Sequence, residues 1–490
     1  MKITSPKLEI SHLSLNERAL LRCQSALELK DKGDYQGAQE IMRPFWKRVG
    51  DRPDTTGLHP PVFAEVMLCA GILTGWIGSK NEVKEAQESA KNLITESIVF
   101  YESVGDLKKV AAARAELAYC YWREGALGEA RIIFNEALER LTTEGNTRAR
   151  AILRLAIVEW SASRYSDSLK ILVENSRLFE KITSRAIKGA YHSQLAMTLR
   201  KLATAENRDD YFQKALNEYE KADQHFKAAQ NTIFRAHVKN NVANILRQLS
   251  RFKDAHKYLE EARRLAVSVR DKAETAQIDE TRAQVLIAER KFAEAESVAG
   301  GAVASLGKSG RQGLLADALI THGIALSRLG NSQRAKFTFQ RAIEVAHQVG
   351  ALNKAGLAAL TMIEELNDLS PEVLHSGYDR ASEWLAKSQS QDLSLRLSAV
   401  ARKVVLSFRG EVKAEEAKET LLNKPCNLQK EVLKYEATLI RQALSKVNGS
   451  VTRAAELLNL SYQGLAYIIG TRHKDLIKER SPIRRRTRKD

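Results

Sequence analysis

From Leu13 to about Gly350 the chain alternates long amphipathic stretches whose small apolar positions keep a regular spacing. "RFKDAHKYLEEA", "KFAEAESVAGGA" and "NSQRAKFTFQRA" are versions of one unit. Ala215, Ala255, Ala295 and Ala335 stand forty residues apart, and seven residues after each comes a second alanine: Ala222, Ala262, Ala302 and Ala342. Upstream the spacing loosens, with Ala38, Ala86 and Ala130 at the first position and Ser168 replacing the alanine. Three residues earlier stands a bulky residue, Tyr35, Val83, Leu127, Tyr165, Phe212, Phe252 or Phe292; twelve earlier stands a small one, Ala26, Ala118, Ala156, Ala243, Ala283 or Gly323. This predicts helix pairs: small residues on one helix admit the other closely, and large ones fill the groove between them. The expected fold class is all-α, a repeat solenoid with few strands.

The spacing changes near the end. In "LQKEVLKYEATLIRQALSKVNG", Val432, Leu433, Tyr435, Leu439, Ile440, Ala443, Leu444 and Val447 lie mainly on one helical stripe, and Asn448-Gly449 is a helix stop. A short second helix is predicted from a Ser450 cap, carrying Ala454, Ala455, Leu457 and Leu458. Asn459, Leu460 and Ser461 make a turn, with Asn459 where a left-handed backbone is wanted. Ser461 then caps a third helix whose Leu465 and Ile468 or Ile469 face inward. Two small residues, a leucine, a turn and a returning leucine at these intervals form a helix-turn-helix pattern.

Composition narrows the class. At 490 residues the chain exceeds one ordinary core, which stops growing near ~250 to 300 residues. Neither the start "MKITSPKLEISHLSLNER" nor the uncharged run Val66 to Ser79 suits export or a membrane span, and the latter reads as a buried helix. Cys23, Cys69, Cys120 and Cys426 form no C-x-x-C pair, so reduced thiols and a cytoplasmic location are expected. Of the net charge of +17, Leu428 to Asp490 carries fourteen Lys and Arg against six Asp and Glu. The final "SPIRRRTRKD" is the most basic segment, and such a run attracts polyanions.

The repeat resembles the tetratricopeptide repeat, in eight units from Leu13 to about Gly350 with a ninth, divergent pair to about Arg409. HEAT-type repeats have a similar length, but the paired alanines argue against them. The resemblance implies a superhelix whose first helices line a concave ligand face. Its groove-facing positions fall on His237, Asn240, Asn244 and Arg247 in the sixth unit and on Gln277, Glu280 and Gln284 in the seventh. Asparagine and arginine there would hold a peptide's backbone or carboxylate; the plainer reading is a solvated polar face. "LATAENRDDY" after Lys201 reads as an insertion in the fifth unit.

Residues Gln429 to Arg472 resemble the Fis-type DNA-binding domain, with "GSVTRAA" and "LNLS" standing for its helix start and turn. By that resemblance Thr452, Arg453 and Ser461 contact phosphates, and the third helix presents Tyr462, Gln463, Ala466 and Tyr467 to the major groove. Gln463 would bond adenine and Ala466 pack on a thymine methyl. The family's usual basic residues after the turn are missing, and Tyr462 and Gly464 depart from its pattern. Arg472, His473, Lys474, Lys478 and the tail's Arg484, Arg485 and Arg486 would then supply phosphate contacts. Fis-type domains dimerise through their leading helix, which makes 433–447 the candidate homodimer surface.

No cofactor, metal motif or catalytic constellation is indicated. "AVASLGKS", Ala302 to Ser309, fits a loose phosphate-loop pattern, but it sits where a second repeat helix should be and lacks the preceding strand. The expected organisation is a solenoid over 13–409, a connector over 410–427, a helix-turn-helix domain over 428–480 and a basic tail over 481–490. The expected function is a non-enzymatic bacterial DNA-binding transcription regulator whose solenoid binds a peptide or protein, acting on duplex DNA away from any membrane. The rival is a scaffold whose basic end contacts nucleic acid or protein without sequence preference.

Overall fold

The repeating period folds as antiparallel helix pairs because its small residues let two helices close on each other. In the computed structural model, which describes residues 12–206, 208–386, 391–408 and 428–479, no strand occurs among the described residues. The first four pairs are α1 (Leu15–Asp31) with α2 (Tyr35–Met42), α3 (Pro60–Lys80) with α4 (Ala86–Ser103), α5 (Leu107–Glu124) with α6 (Leu127–Arg140), and α7 (Asn146–Ser161) with α8 (Tyr165–Glu174). A short α9 (Ser176–Lys181) leads to α10 (Arg185–Ala205) with α11 (Asp209–Ala228) and α12 (Thr232–Gln248) with α13 (Phe252–Ser268). Then come α14 (Lys272–Ala288) with α15 (Phe292–Leu306), α16 (Gln312–Arg328) with α17 (Ser332–Gln348), α18 (Leu352–Glu365) with α19 (Pro371–Leu385), and α20 (Gln391–Phe408). The chain divides between Ser407 and Phe408 into two compact units. The second holds α21 (Leu428–Lys446), α22 (Val451–Leu457), α23 (Tyr462–Thr471) and a 3-10 turn, Lys474–Glu479.

The alanine pattern is the packing pattern. Ala26, Ala118, Ala156, Ala243 and Ala283 are fully buried, as are Ala215, Ala255, Ala295, Ala335 and Ser168. Val83 departs from its bulky neighbours in other units and is exposed. The turns are periodic too: Gln230, Ser250, Arg270, Arg290, Gly310, Gly330 and Gly350 all have positive φ, at twenty-residue intervals. Each half-period thus ends on one left-handed residue, which reverses the chain into the next helix.

The residues after Lys201 do not form a separate insertion loop. α10 continues to Ala205, its "LATA" segment being good helix former, and α11 begins at Asp209. The extra length of this part of the chain goes into the 21-residue α10 and the added α9. The apolar α3 is long enough to cross a bilayer but is mostly buried in the solenoid, as its sequence suggested. Ala302 ends up inside α15, so the phosphate-loop pattern has no loop where it needs one. Cys23, Cys69 and Cys120 are free and buried; Cys426 lies outside the described residues.

Unit eight has glycine at the small position, and a Cβ built on Gly323 would meet the Phe339 ring at 2.7 Å. Gly323→Ala should therefore cost about 1–3 kcal/mol of stability through overpacking. Chemical denaturation of Gly323→Ala, Phe339→Leu and the double variant tests this: the two changes should be strongly non-additive, the smaller leucine making room for the new methyl.

One feature of the first compact unit closes it on itself. The C-terminal ends of the first helices of units one and two meet the N-terminal ends of the first helices of units six to eight. Glu82 accepts backbone N–H bonds from Gln312 (2.7 Å) and Gly313 (3.1 Å) at the start of α16. Lys80 pairs with Asp271, the N-cap of α14, at 3.1 Å. Asn231, the fully buried N-cap of α12, donates to the Asp31 carbonyl at 2.9 Å. The Asp31 carboxylate pairs with Arg150 of α7 at 2.8 Å. Together these contacts clasp one turn of the superhelix.

Candidate nucleic-acid interface and concave face

In the second unit, Ile440, Ala443 and Leu444 of α21 pack with Val451, Ala454 and Ala455 of α22 and with Leu465 and Ile469 of α23. Of the two isoleucines that sequence offered for the inward face, Ile469 is fully buried and Ile468 only partly. Asn448 and Gly449 end α21 with φ of 54° and 81°, and Asn459 makes the turn between α22 and α23 with φ of 54°. Ser450 occupies the N-cap of α22 without a side-chain cap bond, whereas the Ser461 hydroxyl accepts the Gly464 N–H at 3.0 Å. Gly464 is thus in the first turn of α23, where its amide serves the cap, and not in the helix interior.

This packing leaves one face open. Thr452, Arg453, Ser461 and Gln463 are exposed, Tyr462 and Tyr467 are 46% and 67% exposed, and Ala466 is half-buried among them. The sequence-selected residues of α22 and α23 therefore share a surface bearing hydrogen-bonding and aromatic groups. Lys474 and Lys478 are also exposed, on the turn that follows.

The other basic residues after α23 are engaged within the unit. Glu436 of α21 takes Arg472 at 3.1 Å and the Nε2 of His473 at 2.8 Å, and His473 is only 4% exposed. His473 is therefore a buried brace and not a surface phosphate contact; Arg472 remains half-exposed beside it. Arg441 bonds Glu479 at 2.8 Å and Asp475 at 3.2 Å, which ties the 3-10 turn to α21. Arg484, Arg485 and Arg486 lie outside the described residues.

The apolar stripe of α21 splits in two. Ile440, Ala443 and Leu444 are consumed by the core of the unit, while Leu433, Tyr435 and Leu439 remain 38%, 39% and 39% exposed. Only the second set is available to another surface.

Along the first helices of the sixth and seventh units, α12 and α14, the sequence-selected residues stand at different depths. His237 stands 2.8 Å from the Glu274 carboxylate; burial opposes its charge, but Glu274 outweighs that and raises its pKa. Asn240 is 8% exposed, and its Oδ1 has no partner. Asn244 donates to the Asn240 carbonyl, and Arg247 keeps its Nε buried and unbonded. Gln277 is half-buried. Glu280 accepts from Thr321 at 2.5 Å and from Gln284 at 2.6 Å, and burial pushes its pKa up to about 7. These residues form a recessed polar wall, deeper than the family resemblance implied. Among the described residues there is no group of three or more His, Cys, Asp and Glu placed to hold a metal ion.

Comparison with known proteins bears on both units. Residues 316–347 match the tetratricopeptide repeat, and residues 434–467 match the bacterial regulatory protein family Fis. No curated protein matches the sequence significantly. Solved structures that resemble it include a signal transduction ATPase with numerous domains, carrying a tetratricopeptide repeat sensor, from Pyrococcus horikoshii. That likeness has 14% identity and a TM-score of 0.48, and covers 75% of this chain and 55% of the other, so this chain spans about half the length of that protein. The apo quorum sensor NprR from B. thuringiensis gives 16% identity and a TM-score of 0.47, over 69% of this chain and 90% of the other. Yeast Tom70 gives 12% and 0.45, over 83% and 85%. With its paired small residues, its matched repeat and its three-helix second unit, the chain carries a tetratricopeptide repeat at 316–347 and a Fis-family helix-turn-helix at 434–467.

Proposed function

We infer that the protein is a cytoplasmic bacterial transcription regulator: the helix-turn-helix unit binds operator DNA as a dimer, and the solenoid binds a peptide or protein ligand. The observation that carries this reading is the exposed face formed by Thr452, Arg453, Tyr462, Gln463, Ala466 and Tyr467 over a fully packed helix-turn-helix core. Thr452, Arg453 and Ser461 are assigned to phosphates, with Lys474, Arg472 and the tail's Arg484 to Arg486 in support. Gln463 and Ala466 are assigned to base edges, which alone carry sequence information. The exposed Leu433, Tyr435 and Leu439 are assigned to the dimer contact.

Selection of sites from random duplex DNA by the full-length protein tests this. The expected result is a two-fold-related motif, with Gln463→Ala relaxing one position per half-site by about 1–3 kcal/mol of discrimination. The Thr452→Ala, Arg453→Ala double variant should weaken all duplexes alike. Retention that shows no preferred sequence and vanishes as salt rises would overturn operator recognition in favour of a scaffold with nonspecific polyanion contact.

A further inference from the structure

The helix assigned to the major groove carries no charge. From Tyr462 to Thr471, α23 has no Lys, Arg, Asp or Glu. Leu465 and Ile469 are spent on the core of the unit, and the outward positions fall into two rows at i, i+4 spacing. One row is Gln463, Tyr467 and Thr471; the other is Tyr462, Ala466 and Gly470. Thr471 spends its hydroxyl proton on the Tyr467 carbonyl at 2.7 Å. A Cβ built on Gly470 would meet nothing within 4 Å, so no neighbour in the protein calls for glycine there, although alanine makes the better helix. Among the described residues of this unit, Tyr467 is the most exposed large apolar side chain.

That inventory decides which bases the helix can read. Guanine is read best by Arg or Lys on its O6 and N7, and the cytosine amino group by Asp or Glu, none of which α23 has. What remains outward is one amide, two tyrosine rings and a methyl group. The Gln463 amide matches adenine, and the apolar group that the major groove displays on ordinary bases is the 5-methyl of thymine. We propose that α23 selects thymine by this methyl, with the rings of Tyr462 and Tyr467 beside Ala466 as the specificity-determining contacts. The inference deepens the operator-binding reading and rests on it. Apolar burial of methyls here takes the place of charged bidentate bonds, while phosphates are left to residues off this helix face, such as Thr452 and Arg453. The bare Cα of Gly470 lets the end of the same row come close to the bases.

The test takes the duplex selected by the full-length protein and replaces its thymidines with deoxyuridine, one position at a time, at fixed salt. This removes the methyl and keeps every hydrogen-bonding group of the base. Where α23 makes contact, the motif is expected to hold A·T pairs, and each lost methyl to weaken binding about 3- to 5-fold. Tyr467→Ala should erase most of that difference, and Tyr462→Ala part of it, with helicity and melting checked for each. Tyr467→Phe should keep it, because the ring and not the hydroxyl makes the contact. A 5-methylcytosine·guanine pair at the same positions restores the methyl without adenine, and should bind more weakly than the thymine duplex; equal binding would overturn the choice of thymine. Equal affinity for the thymine and uracil duplexes would overturn the methyl contact while leaving operator recognition intact. Failure to select any motif would overturn both.

Discussion

Glu82→Arg should free the start of α16, raising amide hydrogen exchange at Gln312 and Gly313 about 10- to 100-fold. Glu82 accepts from both of these N–H groups, at a helix N-terminus that favours a negative charge. Losing a charged acceptor costs about 1.5–3 kcal/mol, and each ~1.4 kcal/mol is tenfold in an opening equilibrium. Arginine adds the opposite sign at the same helix end, so Glu82→Gln should have a smaller effect in the same direction. Mass-resolved exchange on fragments around residue 312 measures this, with the helix interior of α16 as internal reference. Unchanged exchange in both variants would mean that the clasp contributes nothing in solution.

The clasp is also where sequence reading reaches its limit. The alanine spacing fixes partners a few turns apart, and Ala243, Ala283 and their equivalents are buried where it placed them. Contacts such as Glu82 with Gln312 leave no such trace, because they depend on how a small rotation per unit accumulates along the superhelix. Depth along α12 and α14 was equally hidden. The resemblance to the repeat family put Asn240 and Glu280 on the groove side, but only the neighbouring Thr321 and Gln284 show that Glu280 is enclosed.

The helix-turn-helix unit was more legible, since its stops, caps and apolar positions are local signals. Asn459 and Ser461 do what their residue types imply. His473 was misread because a basic residue beside a DNA-binding pattern suggests phosphate, and its real partner, Glu436, stands 37 residues earlier. The same Glu436 takes Arg472, so the unit spends cations on holding itself together. Arg453, Lys474 and Lys478 remain exposed around α22 and α23, beside the half-exposed Arg472.

Replacing Glu280 with glutamine should remove a pH dependence from the solenoid's stability. The groups around the carboxyl are Thr321 and Asp317 on α16, Gln284 on its own helix and Arg247 on α12. Burial dominates, and Asp317 adds a like charge, though Lys354 holds Asp317 at 2.6 Å. The pKa rises from the ordinary 4.5 to about 7, so the folded chain binds the proton more tightly than the unfolded chain. The stabilisation is full below the unfolded value and is lost as pH rises through 7. A shift of this size corresponds to a loss of about 3 kcal/mol above pH 7. Glutamine keeps an acceptor for Thr321 and Gln284 and carries no charge to desolvate. Chemical denaturation should therefore find the two proteins similar at acidic pH, and Glu280→Gln more stable by up to about 3 kcal/mol at mildly alkaline pH. If the variant is instead the less stable one at alkaline pH, Glu280 is ionised in the fold and held by Arg247.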